Sequence, residues 1–337
     1  MEFNHLNSKL TMNCNNKLTS LSRRSFLSTT ATSLAAMSAL ASNCPAERDD
    51  RKPTLFQHAC MTLPYSNFPF ERALTGIKAS GYKHVAWGVR HRETSGQPVP
   101  VMAEDASPEV AKMLGKRCRD MGLEPVMMFS TIYPEDARAL TVLTQRIKQA
   151  AAAGIGQVLT FGHTQGGNRT LWIERLKVLG PIARDHGLMI VVKQHGGETG
   201  TGEACAEIVR EVNDQNVFVN YDAGNVMDYL NLDPIPDIRK CAAEIRSLCM
   251  KDHRNWPKDQ DCGPGFGEID HYKLLEPLAF TGLTIPLAYE NISAPLLPQP
   301  KTPEGVDALA RRAREFLVTV IDGLQHTSAT SGRTIPR

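Results

Sequence analysis

The chain has no CxxC pair among its eight cysteines, which excludes a zinc ribbon and a thioredoxin-type redox motif. Eight cysteines in 337 residues also fall far below the density of a disulfide scaffold, so any bound metal has to be held by histidines and carboxylates. An excess of one charge is missing as well. There are 38 Lys plus Arg against 36 Asp plus Glu, a net of +2, and no basic cluster supplies an electrostatic footprint for nucleic acid. No Walker phosphate loop occurs, and the glycine fingerprint of a dinucleotide-binding sheet is absent after the first apolar run. Nor is a transmembrane anchor expected. The uncharged stretch from Ser25 to Cys44 is diluted by Ser and Thr, unlike the roughly 20 predominantly apolar residues of a spanning helix.

What is present starts with an address. Ser22-Arg23-Arg24-Ser25-Phe26-Leu27 runs into STTATSLAAMSALASNCPA, an Arg pair before a short, weakly apolar region, as in a twin-arginine export signal. Ala39-Leu40-Ala41 forms an A-x-A cleavage site, giving a signal peptide over 1–41 and delivery to the periplasm or cell surface. Lipidation at Cys44 is the lesser alternative, because Asn43 stands where a lipoprotein signal wants a small residue. The signal carries Lys9, Lys17, Arg23 and Arg24 against Glu2, so removing it leaves a near-neutral mature chain.

Beyond a polar linker over 42–53, apolar runs alternate with amphipathic stretches. The runs are 55–62, 82–89, 124–131, 157–164, 188–195, 217–224, 245–253 and 284–291, each with the length and β-branched or aromatic content of a buried strand. Helical patterns lie between them. Ser107-Pro108 and Thr302-Pro303 open two of these, which Gly122 and Gly323 close, and Gly154 closes a third. Eight strand-helix units predict an α/β fold, a (β/α)8 TIM barrel in one domain over 54–324, followed by a tail over 325–337. An open doubly wound sheet is the runner-up.

In such a barrel the active site lies at the C-terminal ends of the strands. Polar residues collect there: His91 and Arg90 after run two, His163 after run four, Lys193, Gln194 and His195 on run five, Asp222 and Asn225 on run six, Lys251, Asp252 and His253 on run seven, Glu290 and Asn291 on run eight. A lone His or Asp is more often structural than catalytic, but shared placement on successive loops reverses that reading for the group.

The segments KQHGG, NYDAGN, MKDH with GPGFGEID after it, and AYEN, in that order on strands five to eight, resemble the xylose isomerase-like TIM-barrel family of sugar phosphate isomerases and epimerases. The resemblance covers about residues 54–324. It implies a divalent cation such as Mn²⁺, Mg²⁺ or Co²⁺ held by Glu, Asp, His and Glu on strands five to eight, a donor set that suits those ions. Asp222 and Glu290 match that pattern. Lys193 stands where the family has Glu and Cys249 where it has His, with His195 and His253 downstream as substitute metal ligands. Two mechanisms follow from the resemblance. In one, the metal polarises a sugar carbonyl while a carboxylate moves the α-proton through an enediolate. In the other, Lys193 supplies the positive charge, and Glu290, Lys193 and Asp222 form the catalytic set. The bland alternative for Lys193 is a plain ion pair with Glu290 that holds strands five and eight in register.

Trp87, His91, His163, Asn225, Asp252 and Arg254 are then expected to bind substrate or position loops, with Trp87 and Phe129 offering faces to a sugar ring. His58 and His84 lie inside strands and are read as structural. Export favours a small neutral sugar or keto-sugar as partner over a phosphorylated one. The expected function is an exported sugar isomerase or epimerase that abstracts a proton next to a carbonyl. A keto-glycoside lyase or hydrolase and a non-catalytic carbohydrate-binding barrel are the alternatives, and oligomerisation is left open.

Overall fold

The computed structural model describes residues 52–330; the export signal, its cleavage site and the last residues of the tail lie outside them. Eight parallel strands form a closed barrel: β1 (Leu55–Met61), β2 (His84–Trp87), β3 (Glu124–Phe129), β4 (Gln157–Phe161), β5 (Met189–Lys193), β6 (Val217–Tyr221), β7 (Ile245–Met250) and β8 (Thr284–Tyr289). Each pairs with its sequence neighbour, and β8 closes on β1 from Leu55 opposite Thr284 to Cys60 opposite Tyr289. This is the (β/α)8 architecture expected from the alternating runs.

The period-two alternation of a strand sorts the two faces. Inside the barrel, Ala59, Met61, Ala86, Met127, Phe129, Leu159, Val191, Cys249 and Ala288 pack into one apolar plug. Their chain neighbours Cys60, Val85, Trp87, Met128, Val158, Val192, Leu248 and Tyr289 point outward and pack beneath the helices.

The helices are α1 (Phe70–Ala79), α2 (Pro108–Asp120), α3 (Ala139–Ala153), α4 (Arg169–Asp185), α5 (Gly202–Val212), α6 (Ala223–Leu230), α7 (Pro234–Cys241), α8 (His271–Leu275) and α9 (Pro303–Thr330). Pro108 starts α2 behind Ser107, while Gly154 ends α3 at φ 75°, a left-handed position that a side chain would strain. Among the described residues no helix is long and apolar enough to cross a membrane.

Two antiparallel ribbons decorate the C-terminal rim. One pairs Arg90–Arg92 with Pro98–Pro100, the other Asp252–Arg254 with Gln260–Cys262. The second revises the seventh run. That run was expected to be continuous over 245–253, yet the barrel strand stops at Met250, and Asp252 begins a separate ribbon. At the end of β5, Gly196 and Gly197 both take positive φ, and a Cβ on Gly196 would lie 2.3 Å from the Thr164 carbonyl. Only glycine lets the β5 loop lie this close to the loop after β4.

Candidate active site

Inward positions two residues apart end on charge. Below the rim stand Val191, Asn220, Cys249 and Ala288, and one step above them Lys193, Asp222, Lys251 and Glu290 close the plug. Lys193 donates from Nζ to Glu290 Oε2 at 2.6 Å and lies 2.9 Å from Asp222 Oδ2, with 3% of its side chain exposed. Its ammonium also sits 5.6 Å from the centre of the Phe129 ring, within reach of its π-face. Lys251 forms a second cation: Nζ donates to Asn225 Oδ1 at 2.5 Å and lies 2.9 Å from Asp261 and 3.7 Å from Asp222.

Local structure holds these groups still. Asp222 is the N-cap of α6, where Oδ1 accepts from Asn225 N–H at 3.0 Å. Its own N–H donates to Gln194 Oε1 at 2.8 Å, and Asn225 Nδ2 donates to the Gln194 carbonyl at 2.6 Å. Asn225 therefore ties Asp222, Gln194 and Lys251 together.

The two carboxylates differ. Burial pushes fully enclosed Asp222 up to about 6, against the opposing pull of Lys251 and Lys193. Burial also works to raise Glu290, but Lys193 and Lys251 outweigh it and hold Glu290 down at about 2. Lys193 stays an ammonium: burial works against its charge, and Glu290 and Asp222 more than restore it. Burial pushes the Cys249 thiol well up, so it is a neutral SH.

Beside Glu290 opens a cavity of about 270 Å³, lined with Ser66, Asn67, Asn291, Ser293 and Gln299 and with apolar side chains including Phe68. No Lys or Arg contributes to its wall.

Among the described residues, two groups of three bring ligand-type atoms within 4.8 Å of one another: Asp222, Cys249 and Glu290, and Asp228, His253 and Asp261. The first does not fit a divalent cation. Lys193 Nζ already stands between its carboxylates, and the thiol would first have to lose its proton. A divalent ion about 4 Å from one ammonium meets a repulsion of roughly 8 kcal/mol at an effective dielectric of about 20, twice that of two unit charges.

The two substitute histidines stand apart from that group, which corrects their expected place beside Asp222 and Glu290. His195 is half-buried between Phe161 and Tyr229, and its Nδ1–H donates to the Gly162 carbonyl at 2.8 Å. Burial and the nearby Lys193 lower its pKa, so it is a neutral imidazole with its Nε2 lone pair free of that bond. His253 is swung away by the ribbon, with Nδ1 3.0 Å from Asp261 and Nε2 3.1 Å from Asn255 Oδ1.

Trp87 also needs correction as a sugar-stacking residue. Ala86 faces the plug, so Trp87 faces the helices, and with no exposed surface it has no ring face for a substrate. His91 is likewise buried, bonded to the Phe68 carbonyl at 2.9 Å and edge-on to Phe70. Asp252 is fully buried and accepts from the N–H groups of His253, Gly265, Gly267 and Ile269, which makes it the anchor of the loop over 263–269. Arg254 donates to the Trp256 carbonyl within the same ribbon. His163 is exposed at the rim, its ring 3.9 Å from that of Tyr133. Lys251, Gln194 and Asp261 received no role from the sequence. Lys251 was legible, since it lies two residues beyond inward-facing Cys249.

A profile of the family described as xylose isomerase-like TIM barrel matches residues 75–315. The chain superimposes on a solved L-ribulose 3-epimerase with a TM-score of 0.63 at 18% identity, covering 84% of this chain and 100% of that one. A xylose isomerase-like TIM barrel protein from Mycobacterium smegmatis, in complex with magnesium, gives 0.61 at 17% identity over 81% of this chain and 97% of that one. A fusion of such a barrel with 4-hydroxyphenylpyruvate dioxygenase gives 0.62 at 18% identity over 84% of this chain, which spans 45% of the fusion. No curated protein matches. At such identities the solved structures establish the fold, whereas the family profile spans well over half of the sequence. The chain belongs to the xylose isomerase-like TIM-barrel family.

Proposed function

We propose that this protein is an exported sugar isomerase or epimerase that removes the proton from a carbon next to a carbonyl, passing through an enediolate. The observation that carries the reading is the ammonium of Lys193 held between Asp222 and Glu290, the second of which also borders a cavity of monosaccharide scale. An α-proton is acidic enough to remove only if the negative charge arriving on the carbonyl oxygen meets a cation or donors already in place. Lys193 is such a cation. The substrate carbonyl oxygen accepts from Lys193 Nζ, and Glu290, which borders the cavity, takes the α-proton. As Lys193 turns toward the new enediolate oxygen, Glu290 loses the partner that holds its pKa down and becomes the stronger base it needs to be. Protonation of the opposite face, by water or after the enediolate has turned over against Glu290, gives an epimer. Returning the proton to the neighbouring carbon, with a proton exchanged between the oxygens, gives the isomer.

Asp222 stays behind, balancing the two lysines. The hydroxyl and amide wall of the cavity, free of Lys and Arg, suits a neutral sugar or keto-sugar better than a phosphate ester. The L-ribulose 3-epimerase on the same fold supports this reaction type, and Arg23-Arg24 with Ala39-Leu40-Ala41 support export.

The test is deuterium uptake. Ketoses and keto-glycosides incubated with the protein in D₂O should gain deuterium at the carbon next to the carbonyl, and Glu290→Gln should slow this by about 10²–10⁴-fold, the usual worth of a general base. Sugar binding without exchange in the unaltered protein would leave only a carbohydrate-binding barrel.

A further inference from the structure

We propose that Lys193 is this protein's built-in replacement for a divalent cation, so that the barrel centre excludes metal ions and works without them. The inference rests on the proton-transfer reading but concerns what supplies the positive charge.

Asp222, Cys249 and Glu290 converge closely enough to share an ion, and a structure of the same fold was solved with magnesium. Here the space between the carboxylates is taken by an ammonium that contacts both, 2.9 Å from Asp222 and 2.6 Å from Glu290. Lys193 and Lys251 are already matched in this centre by Asp222, Glu290 and Asp261, the last 2.9 Å from Lys251. A divalent ion beside Lys193 would crowd a further two positive charges among carboxylates that are already paired, away from water that could screen them. The third donor is a buried cysteine, and a soft sulfur is a poor ligand for Mg²⁺ or Mn²⁺. His195 and His253 do not supply the missing imidazole, since neither falls within ligand spacing of this group.

Two side chains therefore decide between metal and ammonium. Lys193 fills the cradle, and Cys249 withholds the nitrogen ligand. Changing both, Lys193→Glu with Cys249→His, removes the cation and creates three carboxylates and one imidazole around one point, a donor set suited to Mn²⁺.

The experiment titrates the full chain with Mn²⁺, following free Mn²⁺ by electron paramagnetic resonance, and repeats the deuterium exchange after dialysis against EDTA. The unaltered protein should bind no Mn²⁺ that depends on Asp222, so the titration curves of the unaltered protein and Asp222→Asn should coincide. Exchange should survive chelation unchanged. The double variant should bind one equivalent of Mn²⁺, and adding Asp222→Asn to it should abolish that binding. Mn²⁺ binding by the unaltered protein that Asp222→Asn removes would overturn the proposal. So would exchange lost in EDTA and restored by Mn²⁺, although that result would uphold the proton-transfer reading. A folded double variant that binds no Mn²⁺ would show that something other than Lys193 and Cys249 keeps the ion out. If no sugar exchanges under any condition, the functional reading fails, while the titration of the unaltered protein still decides whether the centre excludes metal.

Discussion

Asp222 and Glu290 face the same ammonium and titrate in opposite directions, and the difference has consequences that can be read in pH. Asp222 is raised to about 6 by burial. Its effect on stability is complete below the ordinary carboxylate value and is lost as pH rises through about 6, where the buried group has to ionise. Glu290, held at about 2 by its lysines against burial, contributes stability above its ordinary value and loses it as pH falls toward 2. In the proposed reaction proton transfer needs Asp222 ionised, because its charge holds the Lys193 ammonium beside Glu290. Exchange should therefore decline as pH drops through about 6, and Asp222→Asn should abolish that acidic limb while lowering the rate overall. An unchanged limb in the pH profile of the variant would assign it to another group. These residues were legible in the sequence because they sit at inward positions on strand ends, where geometry leaves little choice. Trp87 obeys the same count: with Ala86 inward, its neighbour has to face the helices.

The barrel strands and their helices could be read from the alternation of apolar runs and capped amphipathic stretches, since both depend on short-range periodicity. The ribbon from Asp252 to Cys262 could not. Its antiparallel pairing of His253 with Asp261 depends on the chain returning over a loop, and no local pattern says which way a side chain on such a loop will turn. This is why His253 ends among Asp261 and Asn255 rather than beside Glu290. Asp252 anchors that whole element through four backbone N–H groups. Asp252→Ala would leave those donors buried and unpaired, at roughly 1–3 kcal/mol for each that finds no water. Denaturant unfolding should show a loss on the order of 3 kcal/mol, and protease should cut within 263–269 before the barrel opens. Asp252→Asn keeps one acceptor oxygen and should recover part of the loss. A stability unchanged by Asp252→Ala would mean that the loop is not held by this carboxylate.

As a whole, the proposed export of this molecule would deliver a folded domain that suits an oxidising compartment. Cys60, Cys118, Cys205, Cys241, Cys249 and Cys262 are free and buried, and burial pushes each of their thiols up. A thiol that is neither ionised nor accessible is slow to oxidise or to enter disulfide exchange. The barrel can therefore persist outside the cytoplasm with its cysteines reduced, and it needs no oxidant to fold. Twin-arginine export accepts proteins that have already folded, which fits a domain whose strands pair in one closed ring and gain little stability until the last has joined the first. Two outcomes are expected together. The full chain should be recovered from the periplasmic or cell-surface fraction, and Arg23→Lys with Arg24→Lys should hold it in the cytoplasm. The exported protein should leave these six thiols unlabelled by a thiol reagent in native buffer and expose all six in one transition on denaturation, at a midpoint that added reductant does not move. Rapid native labelling of any of the six would mean that the barrel opens locally at that strand or helix, and export would then have to be explained by protection from something other than burial.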